Sequence, residues 1–234
     1  MKKILVIITV LMLLVGCTNT KETKQVQADA AKFKEEYESL NNESNNGKTY
    51  RSLEIDDNNP ITYQTVSDII EAMDDKESFV IYFGFAECPW CRSVVPTLIE
   101  VANDLGISNI YYVDVKEIRD TLELDDEGNI VTKKEGTEDY YKLLEKLDSV
   151  LETYLLTDAD GNDVNTGEKR IYAPNIISVI DGEAKYLTDG ISSSQTDAYM
   201  DLTDEMKEES YDKIKCSIEC VADNQKTCSA KTKC

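Results

Sequence analysis

The sequence predicts a mixed α/β domain: a mainly parallel sheet with helices on both faces and an antiparallel hairpin at one edge. Three observations predict it. Strand-like and helix-like segments alternate between Arg51 and Lys215. One run, Phe79 to Phe85, is apolar enough to be buried on both faces. Asp181-Gly182 reads as a tight turn between two short strands.

Taken in order, Arg51-Ser52-Leu53-Glu54-Ile55 alternates like a half-buried strand, and Val66, Ile69, Ile70 and Met73 make a helical stripe within Thr62 to Met73. Phe79 to Phe85 is broken only by Gly84 and is rich in β-branched and aromatic residues, as a central strand requires. Val94, Val95, Leu98, Ile99, Ala102 and Leu105 mark the next helix, stopped by Gly106, and Ile110 to Val115 is the next strand. Beyond Val115 the pattern loosens. Asp126 to Asn129 and Asp160 to Asn162 read as turns flanking a helix from about Glu138 to Tyr154. In Asp158-Ala159-Asp160-Gly161 the glycine comes two positions too early for a calcium loop of the EF-hand type. Ile176 to Ile180 and Ala184 to Leu187 form the edge hairpin. A last helix runs from about Thr196 to Lys215, with Tyr199, Leu202, Met206 and Ile214 on one side.

The N-terminus reads as an address. Met1-Lys2-Lys3 precedes an apolar run from Ile4 to Val15, too short for a permanent membrane helix but suited to a secretory leader. It ends in Leu14-Val15-Gly16-Cys17, which resembles the bacterial lipobox. That resemblance implies removal of residues 1–16 and lipidation of Cys17, holding the protein on the outer side of the cell membrane. Residues 17–49 are polar, with Val26, Ala30, Phe33, Tyr37 and Leu40 at helical spacing; they read as an anchored tether, partly helical.

Composition excludes several chemistries. The 234 residues carry 25 basic and 46 acidic side chains, a net charge of −21, which disfavours a nucleic-acid surface. Once Lys2 and Lys3 leave with the leader, acyl chains rather than electrostatics must hold the chain at anionic lipid. There is no histidine, so Ser-His-Asp hydrolysis, Cys-His proteolysis and histidine metal sites are ruled out.

The chemistry concentrates at Cys88-Pro89-Trp90-Cys91, a CxxC directly after a buried strand and opening a helix. A cysteine at the helix N-terminus meets free N–H groups and the positive end of the dipole, which stabilise a thiolate. Pro89 suits the first turn, where its missing N–H would have gone unpaired. Cys91, one turn on, can close a disulfide yet is more buried. This assigns Cys88 the attacking and Cys91 the resolving role. A zinc knuckle would need a second ligand pair, and a purely structural disulfide would not need the helix N-terminus.

Residues Arg51 to Lys215 resemble the thioredoxin superfamily on three local matches: the strand–CxxC–helix unit, Pro96 within that helix, and Arg170-Ile171-Tyr172-Ala173-Pro174-Asn175 before a strand and an Asp-Gly turn. Within that superfamily the chain resembles extracytoplasmic thioredoxin-like lipoproteins and bacteriocin-transport accessory proteins. The resemblance implies a thioredoxin fold over residues 50–215, with Pro174 as the cis-proline facing the disulfide. Ala173 would then offer backbone hydrogen bonds to an extended substrate. The chain departs from the family at two tuning positions. Tyr82 stands where the family has a buried acid, and Glu87 where a tryptophan usually precedes the first cysteine. Residues 116–169 are longer than a minimal thioredoxin needs and read as an insertion, either shaping partner choice or serving as filler.

Cys216, Cys220, Cys228 and Cys234 form a Cys-rich tail over residues 216–234. An even set in an oxidising compartment reads as disulfides. Cys216 and Cys220 share a helix face, favouring Cys216–Cys234 with Cys220–Cys228; a four-thiolate metal site and a second redox relay are the alternatives.

These readings converge on a lipid-anchored thiol–disulfide oxidoreductase outside the cytoplasm. It would need no cofactor and no resident metal, act on thiols and disulfides of exported proteins, and be recycled by a membrane thiol donor. Glu87, the lack of a histidine between the cysteines and the net negative charge lean it towards reductase or isomerase. The alternative is a non-catalytic metal-carrier or chaperone lipoprotein using the same thiols as soft ligands.

Overall fold

A computed structural model describes residues 24–222. The leader and Cys17, Cys228 and Cys234 lie outside the described residues. Among those residues no helix is long and apolar enough to cross a membrane.

Helix α1 occupies residues 24–38 and is followed by a small hairpin, β1 (Ser44–Asn45) and β2 (Lys48–Thr49). Next come β3 (Ile61–Tyr63), α2 (Val66–Asp74), β4 (Phe79–Gly84), α3 (Pro89–Asp104) and β5 (Ile110–Asp114). Two hairpins flank α4 (Glu138–Leu147): β6 (Thr121–Leu124) with β7 (Ile130–Lys134), and β8 (Glu152–Thr157) with β9 (Asp163–Arg170). The chain then forms β10 (Asn175–Ile180), β11 (Glu183–Thr188) and α5 (Asp204–Ala222).

The central sheet has the order β3-β5-β4-β10-β11. The first three strands are parallel, and β10 and β11 are antiparallel, which confirms the mixed sheet with a hairpin edge. Every residue of β4 and β10 is buried. Helices α1, α3 and α5 pack on one face around Tyr82, Tyr112, Leu98 and Ile218; α2 and α4 cover the other around Ile81, Phe83 and Leu143. The edge turn has positive φ at Asp181 (52°) and Gly182 (80°), as a hairpin turn of this hand requires. Gly182 also donates its N–H to Glu77 O at 2.9 Å, and an added Cβ would meet Met73 O at 2.1 Å, so glycine is obligatory there.

Five local expectations are corrected. Residues 24–38 are no tether: Ala30, Phe33 and Tyr37 are buried in the core, because their helical stripe faces the sheet. Arg51 to Ile55 is extended but belongs to no ladder. Side chains take its backbone groups instead, with Asn41 bonding both N–H and C=O of Leu53 and Glu38 accepting from the Ile55 N–H. The strand at that sheet edge is Ile61–Tyr63, which the helical reading of Thr62 to Met73 had absorbed; the helix starts at its Thr65 cap. Helix α4 ends at Leu147 rather than Tyr154, and α5 starts at Asp204 and runs through the expected domain edge at residue 215, so Cys216 and Cys220 are helical. Both are disulfide-bonded.

Candidate active site

Strand register assembles the site. Tyr82 on β4 lies opposite Tyr112 on β5 and Ile176 on β10, and Phe83 lies opposite Asn175. The end of β4, which leads into Cys88, is therefore beside the start of β10, which follows Pro174. The Ala173–Pro174 peptide bond is cis, as the resemblance implied. Asn175 holds this loop closed: its side-chain carbonyl accepts from the Tyr172 N–H at 2.7 Å and its amide donates to Pro174 O at 3.0 Å.

Cys88 is the N-cap of α3, and its Sγ accepts from the Cys91 N–H at 3.2 Å. Pro89 fills the first helical position and Trp90 packs at the edge of the core. The Cys88 thiol donates to Ala173 O at 3.2 Å, so the cis-proline loop touches the Cys88 sulfur directly. Both cysteines are free thiols; Cys88 retains 4% exposure and Cys91 none.

Their acidities are driven apart. The Cys91 thiol, hydrogen-bonded to Cys88, lowers the Cys88 pKa most; burial opposes this, and the Cys91 and Trp90 N–H groups and the Arg119 charge lower it further. Burial pushes Cys91 well up, and the adjacent Cys88 pushes in the same direction. Cys88 is thus the more acidic thiol of the two.

Glu87 and Tyr82, at the two positions where the chain departs from the family, are each held by a partner. Glu87 is ion-paired to Lys116 at 2.7 Å, so its charge opposes a Cys88 thiolate less than the bare sequence implies. Tyr82 is fully buried, stacked on Tyr112 with ring centroids 5.4 Å apart, and its hydroxyl lies 2.9 Å from the Tyr37 hydroxyl.

Four further residues carry the site, and only Arg170 among them lies in a quoted motif. Arg119, half-buried after β5, lies with its guanidinium carbon 5.3 Å from the Phe85 ring centre and is the cation that acts on Cys88. Arg92, next to Cys91, is fully buried and ties three separate segments together. Its guanidinium donates to Arg51 O (2.6 and 2.9 Å), Tyr37 O (2.7 Å), Ala86 O (3.4 Å) and Asn41 Oδ1 (2.8 Å). Asp120 and Arg170 form a buried ion pair at 3.2 Å that anchors the entrance to the cis-proline loop. The expected insertion supports that loop too, since Tyr172 bonds Thr153 O and the Leu155 N–H of β8.

No family model matches the chain, and no curated protein matches it. Among solved structures it is similar to thioredoxin O2 from Arabidopsis thaliana in the oxidized state, at 16% identity and a TM-score of 0.31, over 56% of this chain and 82% of that one. So faint a likeness adds nothing to the geometry. What the structure defines is a mixed α/β domain with a central mixed sheet, compatible with a thioredoxin fold.

Proposed function

We propose that this protein is a thioredoxin-like thiol–disulfide oxidoreductase in which Cys88 attacks and Cys91 resolves. One observation carries the reading: the Cys88 sulfur sits at the N-terminus of α3 within 3.2 Å of the carbonyl preceding a cis-proline, with Cys91 buried behind it. A thiolate is stabilised there by N–H groups and the helix dipole, while an extended chain laid along Ala173 would bring its sulfur to Cys88. In the exchange, the Cys88 thiolate forms a bond to one substrate sulfur and the other leaves as a thiol. Cys91 then displaces the first, closing the Cys88–Cys91 disulfide.

The lipobox at Cys17 supports an anchored protein facing outside the cytoplasm, acting on exported proteins and recycled by a membrane thiol donor. The direction proposed is reductase or isomerase. It is supported by the absence of histidine between the cysteines and by the acidic surface, with the Glu87 contribution reduced by Lys116. Cys216 and Cys220, held in disulfides, act as structural staples in this reading.

The test is capture. Cys91→Ser should accumulate mixed disulfides with exported proteins, seen as higher-mass bands on non-reducing gels, and adding Cys88→Ser should abolish them. Absence of trapped species from Cys91→Ser would reject the assignment of the site. A redox titration against glutathione sets the direction; a potential of about −120 mV, the strong-oxidant end, would reject the reductase reading.

A further inference from the structure

The resolving thiol has unusual neighbours. Cys91, Tyr82 and Tyr37 are all without solvent exposure. The Tyr82 hydroxyl and the Cys91 sulfur converge over Gly84: a Cβ added there would lie 2.3 Å from the one and 3.1 Å from the other. The missing side chain of Gly84 is what leaves the two polar groups room to meet. Behind Tyr82, the Tyr37 hydroxyl of α1 lies 2.9 Å away. Phe33 holds Tyr37 from the same helix, with ring centroids 4.4 Å apart, and closes edge-on against Tyr112 at 5.1 Å.

We infer that the Tyr82 hydroxyl, itself oriented by the Tyr37 hydroxyl of the N-terminal helix, donates the hydrogen bond that stabilises the Cys91 thiolate as it resolves the mixed disulfide. The inference rests on the exchange reading in giving Cys91 the resolving role. In that step Cys91 loses its proton and its sulfur bonds to Cys88. The bond between Cys88 and the substrate sulfur breaks, and the departing sulfur takes up a proton. Two protein thiols are oxidised to a disulfide, and one substrate disulfide is reduced to two thiols.

The chemistry of the neighbours selects donation over proton abstraction. Burial raises the Tyr82 and Tyr37 pKa values far above the ordinary phenol range, so neither hydroxyl gives up its proton or serves as a base near neutrality. Against the burial that raises Cys91, the Tyr82 side-chain hydrogen bond and the Phe85 N–H both favour its thiolate. The groups that face Cys91 are Cys88 on α3, Tyr82 on β4, Tyr37 on α1, Tyr112 on β5 and Arg119 after β5. None of these is a carboxylate. Hydrogen bonds to a charged acceptor are the strong ones, and a chain of two hydroxyls polarises the terminal donor further. Tyr82 thus acts on the reacting sulfur itself, Tyr37 is a positioning residue working through Tyr82, and α1 is part of the redox site.

The test uses the reduced full chain and a small aromatic disulfide that releases a coloured thiolate. Cys88 releases the first equivalent by attack, and Cys91 releases the second by resolution, so the two steps are separate phases in stopped flow. Tyr82→Phe should slow the second phase about tenfold and move its pH profile up by about one unit, leaving the first phase unchanged. Tyr37→Phe should act in the same direction by a smaller factor. The double variant should be no slower than Tyr82→Phe, because Tyr37 works through Tyr82. A second phase in Tyr82→Phe that matches the unsubstituted protein overturns the inference, as does equal slowing of both phases, the mark of a packing defect. Should Tyr82→Phe fail to fold, Tyr37→Phe decides, and an unchanged second phase there overturns it. The aromatic disulfide is not a biological substrate. Failure to act on protein disulfides would strike the proposed function while leaving this result readable.

Discussion

Arg92→Met removes a buried charge that binds backbone rather than a carboxylate. Its guanidinium is the common donor to the end of α1, to the segment at Arg51 and to the loop that leads into Cys88. Methionine fills the same channel, so little packing is lost. The loss falls on the acceptors: Tyr37 O is buried and Arg51 O partly buried. An unsatisfied buried acceptor costs about 1–3 kcal/mol; Tyr37 O keeps only the long Leu40 N–H bond of 3.4 Å, so the two together cost about 2–5 kcal/mol. Relief of the guanidinium's own burial penalty offsets part of this, leaving a net destabilisation of about 3 kcal/mol. In a domain of this size 1 kcal/mol moves Tm by about 2–4 °C, so the expected fall is about 6–12 °C by circular dichroism. Arg92→Lys should recover less than half of it, since one ammonium cannot span three carbonyls held in a planar fork. A Tm within about 2 °C of the parent for Arg92→Met would refute the view that this arginine fastens the N-terminal segment to the site.

The Cys88 thiolate, favoured by the Cys91 thiol, two N–H groups and Arg119, should alkylate with a half-point below the about 8.5 of a free thiol. Reactivity should therefore fall only as pH drops through that lower value. Arg119→Met raises the half-point and slows alkylation at neutral pH about threefold, or about half a pKa unit; an unchanged profile would remove Arg119 from the site. Gly84→Ala places a methyl against Tyr82 and Cys91 and should cost about 1–3 kcal/mol in denaturant unfolding, with none expected if the ring moves freely aside. Asp120→Ala leaves Arg170 buried without its partner and should cost about 3–5 kcal/mol, whereas replacing both by apolar residues should restore most of the loss. Equal destabilisation of the single and double variants would show that the pair does not act through its charge.

The central frame and the CxxC pair were legible in local pattern. Phe79–Gly84, Pro89–Asp104, Ile110–Asp114 and the hairpin at Asp181-Gly182 are strongly patterned because their burial follows local periodicity. The Cys88 cap is likewise written in neighbouring residues. Polar strands such as Ile130–Lys134 and Asp163–Arg170 escaped that reading: each pairs only within its own hairpin and carries no continuous apolar face. The stripe of α1 was legible as a helix, but whether it hung free or closed the core was not. Amphipathic spacing says that a face seeks cover and leaves open what covers it. Packing of distant segments is what brings Tyr37 to Tyr82, sets Arg92 and Asn41 on the backbone of Arg51 to Ile55, and lets the Arg119 charge act on Cys88. These contacts join residues far apart in the chain, and their energies come from burial and from hydrogen bonds that exist only once the distant partners have met.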